Sequence, residues 1–332
     1  MEGRLTMNKK VLAGASLALG VVIAASGALA QGWPKAKPVR ILTGYPPGGP
    51  TEVIGHVLAE HLSRELGATF YMEGKPGAAG NLAGELMVNS PRDGYTLNIA
   101  GLGILTVNKE LYGDKMSYDP ATAFAPITIL VRLPVLVEAS AKIPPKTFAE
   151  FVAYAKANPG KLNHGSPGIG TLPHLAAELM AQRMGFKSEH IAYRGTGPFS
   201  QGMMQGELQW AFDVPQTAMS LSKNGHAKLL AVSGKSRNKH FPDVPTLEEV
   251  GMSDTDWTVY FALVGPTGMP KDIIAKLNAA IVKGWKDPAV TQRLVNAGVD
   301  PYTTSPEEMA KIVASDRAMW SKVVRDRGIK VE

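Results

Sequence analysis

Four times along the chain an apolar run stops at a cluster of glycines and a helical pattern begins at once. The most constrained case is Gly44-Tyr45-Pro46-Pro47-Gly48-Gly49-Pro50-Thr51-Glu52, entered from Val39-Arg40-Ile41-Leu42-Thr43. The run before it reads as a buried strand. After it, Ile54, Val57, Leu58, His61 and Leu62 fall on one face of a helix. Proline fixes φ and removes a backbone donor, while glycine lets backbone come close to a neighbour. Pro50 suits the first helical position, where its missing N–H is not needed. Such a turn leaves N–H groups at the positive end of a helix, a place for a small anion. The same residues also make a plain tight connection, and this stretch alone does not choose between the two.

The second case is Gly74-Lys75-Pro76-Gly77-Ala78-Ala79-Gly80-Asn81, after the strand Phe70-Tyr71-Met72. Its helix is expected to turn Leu82, Leu86 and Met87 inward. The third, Gly165-Ser166-Pro167-Gly168-Ile169-Gly170-Thr171, follows a brief strand at Lys161–His164 and opens a helix with Leu172, Leu175, Leu179 and Met180 inward. The fourth, Arg194-Gly195-Thr196-Gly197-Pro198, follows a strand at Ile191–Tyr193. A further strand, Leu208–Phe212, ends on Asp213, and Thr147 with Glu150 forms a capping box. Strands alternating with helices imply parallel sheets. In an open α/β sheet such turns gather at the carboxyl ends of the strands, where ligands bind.

Residues 1–30 read as a secretory signal peptide: Lys9 and Lys10, an apolar stretch from Val11 to Ala25, and Ala28-Leu29-Ala30 before Gln31. Gly14, Ser16, Gly20 and Ser26 dilute that stretch below what a membrane span needs. Met7 competes with Met1 as the start. With 0 cysteines there is no disulfide and no thiol for lipid attachment. The roughly 300 residues that remain suit two domains. The net charge of +6 is scattered. Lys35, Lys37 and Arg40, and later Lys235, Arg237 and Lys239, lack interleaved aromatics, which argues against nucleic acid.

Enzyme signatures are missing. There is no G-x-S-x-G, so Ser166 sits on no nucleophile elbow. Ser166, His174 and Asp213 are the right types for a triad, but nothing in the sequence joins them. Neither a phosphate-binding P-loop nor G-x-G-x-x-G after a strand is present, and Gly101-Leu102-Gly103 is only a fragment. His56 and His61 are off one helical face, so no metal site is expected. His174 either lines a site or packs. Trp210 and Trp257 read as core.

Taken together these motifs resemble the Bug-type solute-binding proteins of the tripartite tricarboxylate transporter family. The resemblance rests on Tyr45-Pro-Pro-Gly-Gly-Pro50, Lys75-Pro-Gly-Ala-Ala-Gly-Asn81, Pro91-Arg-Asp-Gly-Tyr-Thr-Leu97 and Gly165–Thr171 with His174-Leu175. Tyr193-Arg-Gly-Thr-Gly-Pro198, Phe212-Asp213 and Phe241-Pro-Asp-Val-Pro-Thr246 continue it in order. It implies a periplasmic binding protein of type II: two α/β domains joined by two crossing strands, closing on a ligand like a Venus flytrap. Domain 1 is then expected at 31–132 with 234–332, and domain 2 at 133–233. The implied ligand residues are Tyr45, Pro47, Gly48, Gly49, Ala79, Gly80 and Asn81, with Ser166, Gly168, Gly170, Thr171, His174, Thr196, Gly197 and Asp213 opposite. Their amides and hydroxyls are expected to hold a ligand carboxylate, Gly48 and Gly170 at opposite lips. Asp213 either caps a turn or faces the ligand, where it accepts from a hydroxyl, ammonium or water. Glu52 is expected to point at its own helix start and Arg194 into solvent. Two departures stand out: Glu52 where the family has Asp, and Tyr260-Phe261-Ala262 where it has Trp–aromatic–Gly. The implied function is a periplasmic, monomeric, non-enzymatic receptor delivering a carboxylate to a membrane permease, without cofactor or metal. The alternative is a sensing receptor that shows its closed form to a sensor kinase.

Overall fold

The computed structural model describes residues 32–47 and 49–331, so the expected signal peptide and Gly48 lie outside the described residues. The apolar run forms strand β1 (Val39–Thr43), paired in parallel with β2 (Phe70–Gly74) and β3 (Thr96–Gly101). Helix α1 (Pro50–Leu66) connects the first two and buries Ile54, Val57, Leu58, His61 and Leu62 as its spacing predicts. Gly67 closes it in the left-handed conformation. Strands β4 (Phe124–Pro134), β10 (Thr258–Pro266) and β11 (Asp300–Pro301) join antiparallel, giving the six-stranded order β11-β4-β10-β3-β1-β2.

The second sheet has five strands, β7-β6-β8-β5-β9. Here β6 (Asn163–Ser166), β7 (Glu189–Ala192) and β8 (Trp210–Asp213) run parallel. Strands β5 (Leu136–Ser140) and β9 (Ala227–Val232) pair antiparallel beside them. The fold is therefore α/β with two domains, each built on one sheet. Two crossings join them. Strand β4 runs through Val135 into β5, and β9 returns through Ser233. At the crossing Val135 N–H donates to Ser233 Oγ at 2.8 Å, and Ser233 N–H donates to Val135 O at 2.8 Å.

The C-terminal helix Pro306–Arg327 starts on a Ser305 cap and packs its buried face across both domains, with Met309, Val313, Trp320, Val323 and Val324 in one core with Leu175 and Leu179. Among the described residues no helix is long and apolar enough to cross a membrane.

One expectation fails in detail. In the short helix Asn81–Val88 the buried residues are Asn81, Ala83, Gly84 and Met87, while Leu82 and Leu86 are 42% and 37% exposed. Its rotation is set from outside: Gly84 lies so close to Tyr118 Oη that no larger side chain fits there. That pins the Gly84 side to the protein and turns Leu82 and Leu86 out.

Candidate functional site

Of the three parallel strands of the first sheet, β1 ends one residue before Gly44 and β2 and β3 end on Gly74 and Gly101, and each leads into a helix on the same edge. After β1, Gly44 sits against the Gly80 backbone so tightly that a Cβ would collide with it. The first and second turns therefore touch. Half-buried Tyr45 lies over Gly101, which has no room for a Cβ, and its ring meets Phe261 edge-on at 5.5 Å. Burial raises the Tyr45 hydroxyl to about 12 despite a backbone hydrogen bond from Gly101, so it stays neutral. Pro46 and Pro47 are exposed, and Gly49 precedes the helix with Pro50 in its first turn.

The second turn is conformationally unusual. Ala78 and Ala79 have φ of 45° and 52°, and Gly80 has 92°. Non-glycine residues at positive φ cost about 1–2 kcal/mol each, and such strain collects at ligand clamps. At the step from a left-handed Gly80 to a right-handed Asn81 the turn closes on itself: Gly80 N–H donates to Gly77 O at 2.9 Å and Asn81 N–H to Ala78 O. Asn108 braces it: Nδ2 donates to Asn81 Oδ1 at 2.7 Å and to Ala79 O at 3.2 Å. Tyr118 Oη donates to Asn81 O at 3.1 Å.

The fragment Gly101-Leu102-Gly103 proves to be a fifth turn of the same kind, running from β3 straight into the helix Leu102–Thr106.

The second sheet repeats the device. At the end of β6, Ser166 is fully buried; its Oγ donates to Gly168 O at 3.0 Å and sits 2.8 Å from His190 Nε2. Thr171 Oγ1 donates to Gly168 O at 2.8 Å. Gly195 N–H donates to Pro167 O at 2.9 Å, tying the third turn to the fourth. Gly168 and Gly170 have φ of 159° and 77°, which favour glycine. Thr196, Gly197 and Arg194 are exposed, at the start of the helix Thr196–Gln205. The two edges meet here. A Cβ on Gly103 would lie 3.2 Å from Gly170 O, and Gly170 is buried against Leu111 and Val107 of the first domain.

Residues 54–329 match the family model described as "Tripartite tricarboxylate transporter family receptor". The chain belongs to this TctC family. A protein of the gbd 5′ region of Cupriavidus necator is 32% identical over 329 residues, 99% of each chain. BugT of Bordetella pertussis is 27% identical, covering 95% of this receptor and 97% of its own length. A Rhodopseudomonas palustris protein solved with adipate is similar in structure, with TM-score 0.80, 28% identity, and 90% and 99% of the two chains covered. MatC of Rhodopseudomonas palustris, solved with malate, gives TM-score 0.76 and 27% identity over 87% of this chain and 99% of its own.

Within this TctC receptor, His174 takes the packed alternative. It is buried, accepts from Gly170 N–H at Nδ1 (3.2 Å) and stacks on His190 with ring centroids 3.7 Å apart. Burial lowers His174 to about 4, against the pull of Glu178 and with the push of His164. Burial and the charges of His174 and His164 take His190 to about 2. His164 Nδ1 lies 2.6 Å from Ser188 Oγ. Burial pushes Glu178 up, but His164 and the Arg327 guanidinium, 2.6 Å away, outweigh it and bring the carboxyl to about 2. A triad is ruled out by position. Ser166 contacts His190, and Asp213 lies on the other face of the sheet, since Ser166 and His164 share a side with Trp210 and Phe212.

Asp213 is 1% exposed at the end of β8, where Oδ1 accepts from Val214 N–H at 2.7 Å, as a turn cap does. Sequence reasoning missed Asn108, Tyr118, Leu111 and Glu138. Only Gly101-Leu102-Gly103, following a strand, carried a readable signal.

Proposed function

We propose that the chain is a periplasmic receptor that captures a small organic carboxylate between its domains and hands it to the permease of a tripartite tricarboxylate transporter. One observation carries this reading: glycine-rich helix starts crowd the carboxyl edges of both sheets, and those edges meet at Gly103 and Gly170. Helix-start amides hold a carboxylate without a buried cation, whose unpaired charge would be costly. Sets of amides on two domains engage together only when the domains close, so ligand favours the closed form. Relatives solved with adipate and malate support a carboxylate as the ligand.

The amide cradle is assigned to Gly48, Gly49 and Ala79 on one side and to Thr196 and Gly197 on the other, with Tyr45 and Pro47 as walls; Gly80, Asn81, Gly168 and Gly170, whose N–H groups bond within their own turns, line it by close backbone approach. Ser166, Thr171 and His174 shape the third turn from behind. Domain 1 is assigned to 31–132 with 234–332 and domain 2 to 133–233, pivoting at Val135 and Ser233. Binding involves no catalysis, and the receptor works as a monomer exported by residues 1–30.

Calorimetry against mono-, di- and tricarboxylates, each beside its methyl ester, tests the reading. Charge-assisted hydrogen bonds contribute roughly 1.5–3 kcal/mol each, so losing two weakens the ester about a hundredfold or more. Equal binding of acid and ester would overturn the cradle.

A further inference from the structure

Three buried oxygens in the second domain accept no hydrogen bond: Glu138 Oε1 and Oε2, and Asp213 Oδ2. Glu138 is 0% exposed. It lies two residues along β5 from Leu136, the partner of Asp213, so both carboxyls project from the same face. The Asp213 charge adds to burial in raising the Glu138 carboxyl. Among the described residues no basic side chain is paired with either. The pair sits close to the interdomain crossing, because Leu136 directly follows Val135, which bonds Ser233. Beside it β9 carries an extra residue: Val137 pairs with Ala231 and Glu138 with Leu229, leaving Leu230 over. Irregularities of this kind occur next to functional sites, where they re-aim side chains.

We propose that Glu138 and Asp213 are the specificity residues of the cleft, taking the ammonium group of an amino-carboxylic acid whose carboxylate lies in the glycine-rich turns. This rests on the receptor reading above and adds the substrate class to it. An ammonium brings three donors and a positive charge to three acceptors that lack partners. A hydroxyl brings one donor and no charge. A second carboxylate brings repulsion and no donor. Without ligand, burial raises both carboxyls well above their usual range, so the pair retains a proton. When the domains close over the ligand that proton is released to solvent and the ammonium takes its place.

The test uses matched acids differing only at the distal end: succinate with γ-aminobutanoate, glutarate with δ-aminopentanoate, and adipate with ε-aminohexanoate. Calorimetry is run on the mature protein and on Glu138→Gln and Asp213→Asn, each checked for folding by circular dichroism. In at least one pair the amino acid should bind the unmodified protein about tenfold or more tighter than the diacid, and both variants should lose that preference. If diacids bind as well as or better than amino acids at every length, or if the preference survives both substitutions, this assignment is overturned while the receptor reading stands. If none of the six acids and no other carboxylate binds, the receptor reading falls, and the assignment with it.

Discussion

The second domain buries ionisable groups on both faces of one sheet and treats them in opposite ways. On the face covered by the helix Leu172–Met184, His164, His174 and His190 stack or bond in a chain that includes Ser166, Ser188, Glu178 and Arg327. Most of its polar atoms have a partner, and burial keeps His174 and His190 neutral. On the face covered by the helix Pro215–Lys223, Glu138 and Asp213 share a site with three unsatisfied oxygens. A satisfied buried network rigidifies its surroundings, while an unsatisfied one costs stability. The histidine face thus reads as the frame that holds the Gly170 turn in place. The acid face reads as held in reserve for a partner.

Four measurements sharpen or break that contrast. The largest effect is expected for His174→Ala, which removes a stacked ring and frees the Gly170 N–H. Loss of a buried side chain of this size destabilises by about 2–5 kcal/mol, read from urea denaturation. An unchanged midpoint would mean the stack holds nothing. Next comes acid. An unfolded histidine titrates near 6.5, and folded His174 near 4, so the folded state binds fewer protons between them. Stability should be full above about pH 6.5 and fall toward pH 4, by on the order of 3 kcal/mol from His174 alone. Calorimetric melts across that range check it, and a flat curve would break the frame reading. Third, Ser166→Ala strips a partner from His190 Nε2 and should cost about 1–2 kcal/mol. The smallest effect has the opposite sign. Glu138→Gln removes a charge the site resists, so melting should rise by roughly 2–4 °C at pH 8. Because the raised carboxyls lend stability only below about pH 4 and lose it as pH rises, that gain should vanish in acid. A gain unchanged at pH 4 would show that packing, not charge, is responsible.

Much of the fold was readable because glycine and proline mark strand ends directly. The turns at Gly44, Gly165 and Gly195 and the helix faces of Ile54–Leu62 and Leu172–Met180 follow from local spacing. The short helix Asn81–Val88 did not, because two turns carry too little periodicity and Tyr118 fixes its rotation from 37 residues away. The histidine and acid clusters were hidden for a different reason. They depend on strand order β7-β6-β8-β5-β9, which brings His164 beside His190 and Glu138 near Asp213, and no local pattern states that order. Gly48, expected at one lip of the cleft, lies outside the described residues.

The turn at Ala78 and Ala79 also has a consequence for handedness. Two consecutive L-alanines hold φ values natural to D-residues. A semisynthetic protein with D-alanine at both positions should therefore keep the turn and shed its strain, about 1–2 kcal/mol per site. Among the encoded amino acids glycine gives similar relief, but it widens the choices open to the unfolded chain. Alanine thus keeps this short reversed stretch stiff, and a stiff turn needs less ordering when a ligand arrives.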